Sequence, residues 1–226
     1  MGFRFLLLLN VLLWNACNQS NPTFVNESNT AVTEIPNDNI SPSLVVEQDR
    51  YAWQKPDLVI DKLGNLDGKV VADIGAGTGY FTFRLMQSAE KVIAIDIDQD
   101  MINLIEIFRQ NLDSINQIKV EPRIATPDNP NLKDEEVDIV VIINTIGYIE
   151  DRDQYLETLS KAMKDSAQLM IVDFKLKRIP SNIAPAIEYR VSLLEMEELL
   201  SKHGYEVIES DDRSLDYQYI VQAVKI

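Results

Sequence analysis

Short apolar runs alternate with segments of helical periodicity along most of this chain. The runs are continuous and rich in Val and Ile, as in strands buried on both faces, and they span residues 70–74, 91–97, 118–125, 137–144 and 168–174. Between them, the spacing predicts helices over residues 80–88, 100–111 and 153–164. Strands that alternate with helices are typical of a doubly wound parallel α/β sheet.

The C-terminal part of the pattern predicts how that sheet ends. Ser192 and Glu195 form a capping-box sequence that opens a helix running to His203. Strands are predicted over residues 205–209 and 217–224, with no helix between them. The final strand is therefore expected to enter antiparallel, in a seven-stranded and otherwise mostly parallel sheet.

The first strand leads directly into a glycine-rich turn. Asp73 stands near the end of the strand, and Gly75, Gly77 and Gly79 follow before the next helical pattern begins. Glycines let backbone N–H groups approach a ligand closely, because no Cβ atom stands in the way. A strand, a glycine turn and a helix in this order predict a ligand crevice at the carboxyl end of the sheet.

The spacing of the glycines separates two classes of ligand. A dinucleotide fingerprint, G-x-G-x-x-G, would require glycine at position 80, which is Tyr80. A carboxylate at Asp73 would repel a phosphate and attract an ammonium group. The pattern favours a zwitterionic, cationic ligand, and a dinucleotide remains the less favoured alternative.

The segment from Asp73 to Gly79 resembles motif I of the class I S-adenosylmethionine-dependent methyltransferases. Asp96 ends the next strand, 17 positions after Gly79, where that family has an acidic residue that binds the two ribose hydroxyls. The resemblance covers roughly residues 48–226, and Trp53-Gln54-Lys55-Pro56 is similar to a segment of a bacterial subgroup that acts on small molecules. It implies a Rossmann-like methyltransferase fold and S-adenosylmethionine as cofactor.

The resemblance also implies a set of cofactor-binding residues: Asp73, Gly75, Ala76, Gly77, Gly79, Asp96, Ile97, Thr126 and Asn144. In this set, Asp73 is expected near the ligand ammonium, directly or through water, and Asp96 at the ribose. Ile97 is expected to pack on the adenine, and Thr126 lies in the loop expected to reach the adenine edge. Asn144, at the end of the fourth strand, is expected to border the transferred methyl group.

Methyl transfer depends mainly on the positioning of donor and acceptor, and a base is needed only for a protonated hydroxyl or an acidic carbon. Tyr148 and Glu150 are the titratable candidates after the fourth strand, where relatives often have histidines. For Tyr148, a packing or substrate-shelf role is favoured over proton transfer. Further candidates for lining the acceptor pocket are Tyr51, Trp53, Tyr189 and Arg190.

The overall charge narrows the class of acceptor. Lys and Arg number 21 against 36 Asp and Glu, for a net charge of −15. An acidic surface repels a phosphate backbone, so a small-molecule acceptor is expected rather than a nucleic acid. With one Cys and one His in the whole chain, no metal site is expected. The sequence carries no signal for an oligomeric state.

The N-terminus predicts export. Arg4 precedes the apolar run Phe5–Trp14, which is too short to cross a bilayer and suits the core of a signal peptide. Cys17 follows Ala16 in a context that resembles a bacterial lipobox, so residues 1–17 are predicted to be a signal peptide with lipidation at Cys17. Residues 18–46 are predicted to be a disordered linker, and residues 47–226 the methyltransferase domain.

Two functional hypotheses follow. The first is an S-adenosylmethionine-dependent methyltransferase that acts on a small-molecule or lipid-like acceptor. The second is an exported, lipid-anchored binding protein that retains the fold without catalysis, because little S-adenosylmethionine is expected outside the cytoplasm. The expected location is the cell envelope, lipid-anchored or periplasmic, or the cytoplasm if translation starts downstream.

Overall fold

The computed structural model describes residues 49–226. The predicted signal peptide, its Cys17 and the predicted linker over residues 18–46 lie outside this range and stay predictions. Within residues 49–226, no helix combines the length and the apolar character that crossing a membrane would require.

A single seven-stranded sheet organises the described part of the chain. Its strands are β1 (Val70–Ile74), β2 (Lys91–Asp96), β3 (Val120–Ile124), β4 (Val137–Ile143), β5 (Met163–Phe174), β6 (Tyr205–Asp211) and β7 (Gln218–Lys225). Their order is β3-β2-β1-β4-β5-β7-β6. The first five pair in parallel, and β7 lies antiparallel between β5 and β6. This confirms the predicted doubly wound sheet with an antiparallel last strand.

Helices cover both faces of the sheet. They are α1 (residues 49–54), α2 (Pro56–Asp61), α3 (Thr82–Leu85), α4 (Gln99–Gln110), α5 (Ser114–Gln117), α6 (Arg152–Ala162) and α7 (Leu193–Lys202). Short 3-10 helices occur at Ile146–Tyr148 and Ile187–Tyr189. The Asp98 side chain accepts from Asp100 N at the start of α4, and Ser192 accepts from Glu195 N at the start of α7. The cap at Ser192 matches the sequence prediction.

Three elements differ from the expectation. The helix after the glycine turn is only four residues long, because the chain forms turns on either side of Thr82–Leu85. Strand β5 begins at Met163 rather than at residue 168, since Met163 already pairs with Val137 of β4. Helix α5 was not predicted, although Asp113 caps it by accepting from two backbone N–H groups.

The core lies in two layers, one on each face of the sheet. Ala72 and Ile74 of β1 point into the layer beneath α6 and α7. Val71 points into the opposite layer, which contains Leu85 of α3 and Ile105 of α4. Because both faces are covered, β1 is buried from residue 71 to residue 74 and shows no polar alternation in the sequence.

Candidate functional site

The connections between neighbouring strands run in opposite directions along the sheet on either side of the central pair β1 and β4. The loop after β1 leads towards β2 on one side, and the loop after β4 leads towards β5 on the other. A crevice opens where such loops diverge. A cavity of about 240 Å³ lies there, lined by Ile74, Gly75, Ile95, Asp96, Ile97, Ala125, Thr126, Pro127, Thr145, Tyr148, Ile149 and Tyr155.

The glycine turn needs its glycines for different reasons. Gly75, Gly77 and Gly79 all have positive φ angles, of 75°, 55° and 85°, which L-residues with a side chain rarely adopt. At Gly75, a Cβ atom would also clash with the side chain of Thr145, so the loops after β1 and β4 touch there. At Gly77, a Cβ atom would meet nothing within 4 Å, and this side of the turn faces open space.

Strand β2 holds the turn in place through its last residues. The backbone N–H groups of Gly75 and Ala76 both donate to the carbonyl oxygen of Ile95, at 2.8 and 3.0 Å. The N–H of Gly77 donates to the Asp96 carboxylate at 2.7 Å. Strand β2 thus fixes the backbone of the turn through three hydrogen bonds, and Ala76 is buried.

Asp96 combines a structural role with free acceptor capacity. Its second carboxylate oxygen accepts from the N–H of Asp98 at 2.9 Å. A carboxylate offers about four acceptor positions, so two of them remain for a ligand. Because Asp96 is half-buried and lines the cavity, those positions are available to the two hydroxyls of a ribose.

Asp73 lies behind the turn rather than in the cavity wall. Its carboxylate is 2% exposed and accepts a hydrogen bond of 2.6 Å from the Thr82 hydroxyl. Burial raises the pKa of Asp73 to about 6, although the bond from Thr82 and the charge of Arg50 oppose this shift. In this position Asp73 ties β1 to α3, and its predicted role towards a ligand ammonium stays a prediction.

The cavity has one mostly apolar side. Ile97, exposed over 61% of its surface, and Thr126 both line it, and their roles towards an adenine stay predictions. The Thr126 hydroxyl donates to Asp128 at 2.6 Å, which leaves the Thr126 methyl group and Pro127 as the nearby apolar surface. Thr145 and Tyr155 also line the cavity and were not predicted, because neither stands in a motif.

Tyr148 and Glu150 are separated by the structure. Tyr148 lines the cavity, and its ring stacks on that of Tyr189, with centroids 5.3 Å apart and an interplanar angle of 25°. Glu150 is exposed and is absent from the lining of that cavity. The arrangement favours a shelf role for Tyr148 and brings only this one of the two candidate residues to the site.

Asn144 follows the end of β4 in a left-handed conformation, with φ of 60°. Its side-chain oxygen accepts hydrogen bonds from Gln54 of α1 and Gln218 of β7. The amide is therefore at the carboxyl edge of the sheet, next to Thr145 of the cavity. The two glutamines were not predicted as site residues, because no sequence spacing links them to Asn144.

The other candidates for the acceptor pocket have protein partners. Tyr51 donates its hydroxyl hydrogen to Asp57, and Trp53 packs on Phe174 with ring centroids 5.9 Å apart. The Arg190 guanidinium donates to the carbonyl oxygen of Pro185 at 2.8 Å. Their roles towards an acceptor stay predictions.

Known proteins similar to this chain share both its sequence pattern and its fold. A family model for a methyltransferase domain matches residues 65–220. The ubiquinone/menaquinone biosynthesis C-methyltransferase UbiE of Pasteurella multocida is 24% identical over 77% of this chain and 61% of its own length. The protein of the same name from Hydrogenovibrio crunogenus is 26% identical over 74% of this chain and 63% of its own length. The chain thus spans about three fifths of the length of these two relatives.

Solved structures agree on the architecture. A SAM-dependent methyltransferase from Aquifex aeolicus superposes with a TM-score of 0.70 at 24% identity, over 83% of this chain and all of its own. Magnesium protoporphyrin IX methyltransferase from Synechocystis, solved with SAH bound, gives a TM-score of 0.64 at 18% identity, over 83% of this chain and 88% of its own. With a family match that covers most of the domain, this chain belongs to the class I S-adenosylmethionine-dependent methyltransferases, and its cofactor is S-adenosylmethionine.

Proposed function

We propose that this protein transfers the methyl group of S-adenosylmethionine to a small, quinone-type acceptor. The observation that carries the proposal is the placement of Asp96, which is bound to Gly77 and exposed in the wall of the cavity. The names of the UbiE relatives support a ring acceptor of the quinone class and a carbon atom as the methylated position.

The residues of the cavity fit the cofactor. Asp96 has two free acceptor positions for the ribose, and Ile97 with Pro127 offers apolar surface for the adenine. The open space beside Gly77, where a Cβ atom would meet no protein atom within 4 Å, leaves room for the methionine portion. Asp73 adds a nearby carboxyl group that favours the ligand ammonium over a phosphate.

Bound in this cavity, S-adenosylmethionine supplies an electrophilic methyl group whose leaving group is a neutral thioether. The protein's own contribution is then mainly orientation, which can lower a barrier by roughly 7–11 kcal/mol when the reacting atoms are well aligned. The stacked rings of Tyr148, which lines the cavity, and Tyr189 offer a flat aromatic surface for a planar acceptor. A proton released from the acceptor leaves to solvent, since Tyr148 is 56% exposed at the mouth.

A direct assay tests the proposal. The full chain is incubated with methyl-labelled S-adenosylmethionine and 1,4-naphthalenediol, and label is counted in an organic extract. Label is expected to enter the extract with the wild type and with Asp212→Ala, an exposed control in the β6–β7 loop, and to be lost with Asp96→Ala. Equal counts with and without protein would contradict the proposal.

A second function is supported by different observations. The pattern from Met1 to Cys17 favours export and lipid anchoring, and the cavity wall contains only one carboxylate, Asp96, and no histidine among the described residues. We propose the cell envelope as the location on that sequence pattern. A lipid-anchored binding protein would bind S-adenosylmethionine in calorimetry and give no labelled product in the assay above.

A further inference from the structure

Three side-chain amides meet at the carboxyl edge of the sheet. Gln54 comes from α1, Asn144 follows β4, and Gln218 begins β7, so residues 164 positions apart in sequence are in contact. Gln54 and Gln218 are fully buried, whereas Asn144 is half-buried. Buried amides of this kind are costly unless hydrogen-bonded, which makes a fully connected cluster a specific structural feature.

The hydrogen bonds of the cluster all run in one direction. Arg50 Nε donates to Gln54 Oε1 at 2.7 Å, and Gln54 Nε2 donates to Gln218 Oε1 at 3.1 Å. Gln54 Nε2 also donates to Asn144 Oδ1 at 3.3 Å, and Gln218 Nε2 donates to the same oxygen. Two donors occupy both lone pairs of Asn144 Oδ1. Asn144 Nδ2, in contrast, has no hydrogen-bond partner among residues 49–226.

The backbone fixes where this amide group stands. Asn144 has a positive φ, which Asn tolerates better than most residues, and its N–H donates to the carbonyl oxygen of Val172 at 2.9 Å. The next residue, Thr145, packs against Gly75 of the glycine turn. Strained backbone held in this way is typical of functional sites. Asn144 therefore directly precedes Thr145, which lines the cavity, at the carboxyl edge of the sheet.

We propose that Asn144 Nδ2 binds an oxygen atom of the acceptor, a ring carbonyl or phenolate oxygen, and that Gln54 and Gln218 are positioning residues for it. This inference rests on the proposed function. A chain of donors that starts at a guanidinium polarises the last N–H group, which favours an oxygen with partial or full negative charge. The acceptor class is thus a phenol or quinone rather than an amine or a thioether.

Binding of two matched probes tests the assignment. The full chain, saturated with S-adenosylhomocysteine, is titrated with 1-naphthol and with 1-methylnaphthalene, which replaces the oxygen by a methyl group of similar size. The wild type is expected to bind 1-naphthol about tenfold more tightly, the size of one hydrogen bond to a preorganised donor. Equal affinities, or binding of neither probe, would overturn the proposal.

Variants then locate the preference in the cluster. Asn144→Asp keeps the backbone conformation and both incoming hydrogen bonds but removes the Nδ2 donor, so the preference should fall to about twofold or less. Gln218→Met removes one donor to Asn144 Oδ1 and should reduce the preference at least threefold. Gln222→Met is the matched control, because Gln222 is equally buried and hydrogen-bonded on the same strand, four residues away.

The outcomes separate this inference from the proposed function. A loss of preference in Gln222→Met as large as in Gln218→Met would overturn the positioning role, and an unchanged preference in Asn144→Asp would overturn the binding role. If S-adenosylhomocysteine itself fails to bind, the proposed function is contradicted. The probes are then titrated against the free protein, where the same preference is expected and its absence overturns the assignment of Asn144.

Discussion

The backbone N–H of Gly77 donates a hydrogen bond of 2.7 Å to the carboxylate of Asp96, and this bond joins the ends of β1 and β2. The same carboxylate lines the cavity beside Ile97. One side chain therefore both shapes the glycine turn and faces the ligand. This coupling means that changes at either residue should affect cofactor binding more than they affect folding.

Gly77→Ala should lower the affinity for S-adenosylmethionine at least tenfold with a modest loss of stability. The new methyl group meets no protein atom within 4 Å, so the folding cost is about 1 kcal/mol for the positive φ, while the methyl group would occupy space proposed for the methionine portion of the cofactor. Gly64→Ala is the control, because Gly64 has φ of 73° and the same open surroundings away from the cavity. Calorimetry measures the affinity for S-adenosylmethionine, and urea unfolding measures the stability. Equal affinities in the two variants would contradict the proposal that the cofactor binds beside Gly77.

The ionisation of Asp73 should make the protein less stable as the pH rises. Its pKa in the folded state is about 6, above the ordinary value near 3.8, because burial disfavours the charged form. The folded protein then binds more protons than the unfolded chain between these values. The Asp73 contribution is fully present below about pH 4 and is lost as the pH rises through 6.

Asp73→Asn removes this dependence and should leave the Thr82 hydroxyl bond in place. Relative to the variant, the wild type should lose up to about 3 kcal/mol in its free energy of unfolding between pH 4 and pH 7. Urea unfolding at several pH values measures the difference, with Asp67→Asn as an exposed control. A difference that does not change with pH would show that Asp73 is already ionised at pH 4.

Tyr148→Ala should weaken S-adenosylmethionine binding three- to tenfold, whereas Tyr148→Phe should leave it unchanged. The reason is that Tyr148 lines the cavity and its ring stacks on Tyr189, so we expect aromatic surface rather than the hydroxyl to contribute, at about 0.5–1.5 kcal/mol. The two affinities are measured by calorimetry. A loss in Tyr148→Phe as large as in Tyr148→Ala would instead assign the role to the hydroxyl group.

Much of the fold could be predicted from the sequence because its determinants are local. The run Val70–Ile74, the glycines after it and the cap at Ser192 act within a few residues, and the structure confirms each of them. Helix α5 was missed because its four residues are too few to show a helical period. The start of β5 was missed because α6 runs into it without a turn signal.

The candidate site was predictable only in part. Asp96, which the family resemblance implied as a site residue, does line the cavity, because one strand–helix–strand unit sets its distance from the glycine turn. Gln54 and Gln218 were not predicted as site residues. Their contact with Asn144 depends on how α1 and β7 pack in the folded protein, which the sequence does not show. Glu150 was a candidate because it is a titratable residue shortly after the fourth strand, yet Ile149 before it is buried and Glu150 itself is exposed.

Cys17→Ser should release the protein from membranes if the predicted lipid anchor is present. Lipidation needs the thiol, and the folded domain over residues 49–226 has no helix suited to cross a bilayer. Wild type and variant are expressed in a bacterium, and membrane and soluble fractions are compared by blotting. The wild type is expected in the membrane fraction and the variant in the soluble fraction. An equal distribution of the two proteins would contradict the predicted lipid anchor.

The most direct test of the account is titration calorimetry of S-adenosylmethionine into the full chain, with Asp96→Ala and Asp212→Ala as a matched pair of variants. We expect binding by the wild type and by the exposed Asp212→Ala control, and a loss of about 1–3 kcal/mol in Asp96→Ala, because charged hydrogen bonds to the ribose are removed. Absence of binding by the wild type, or an unchanged affinity in Asp96→Ala, would contradict the assignment of this cavity to the cofactor.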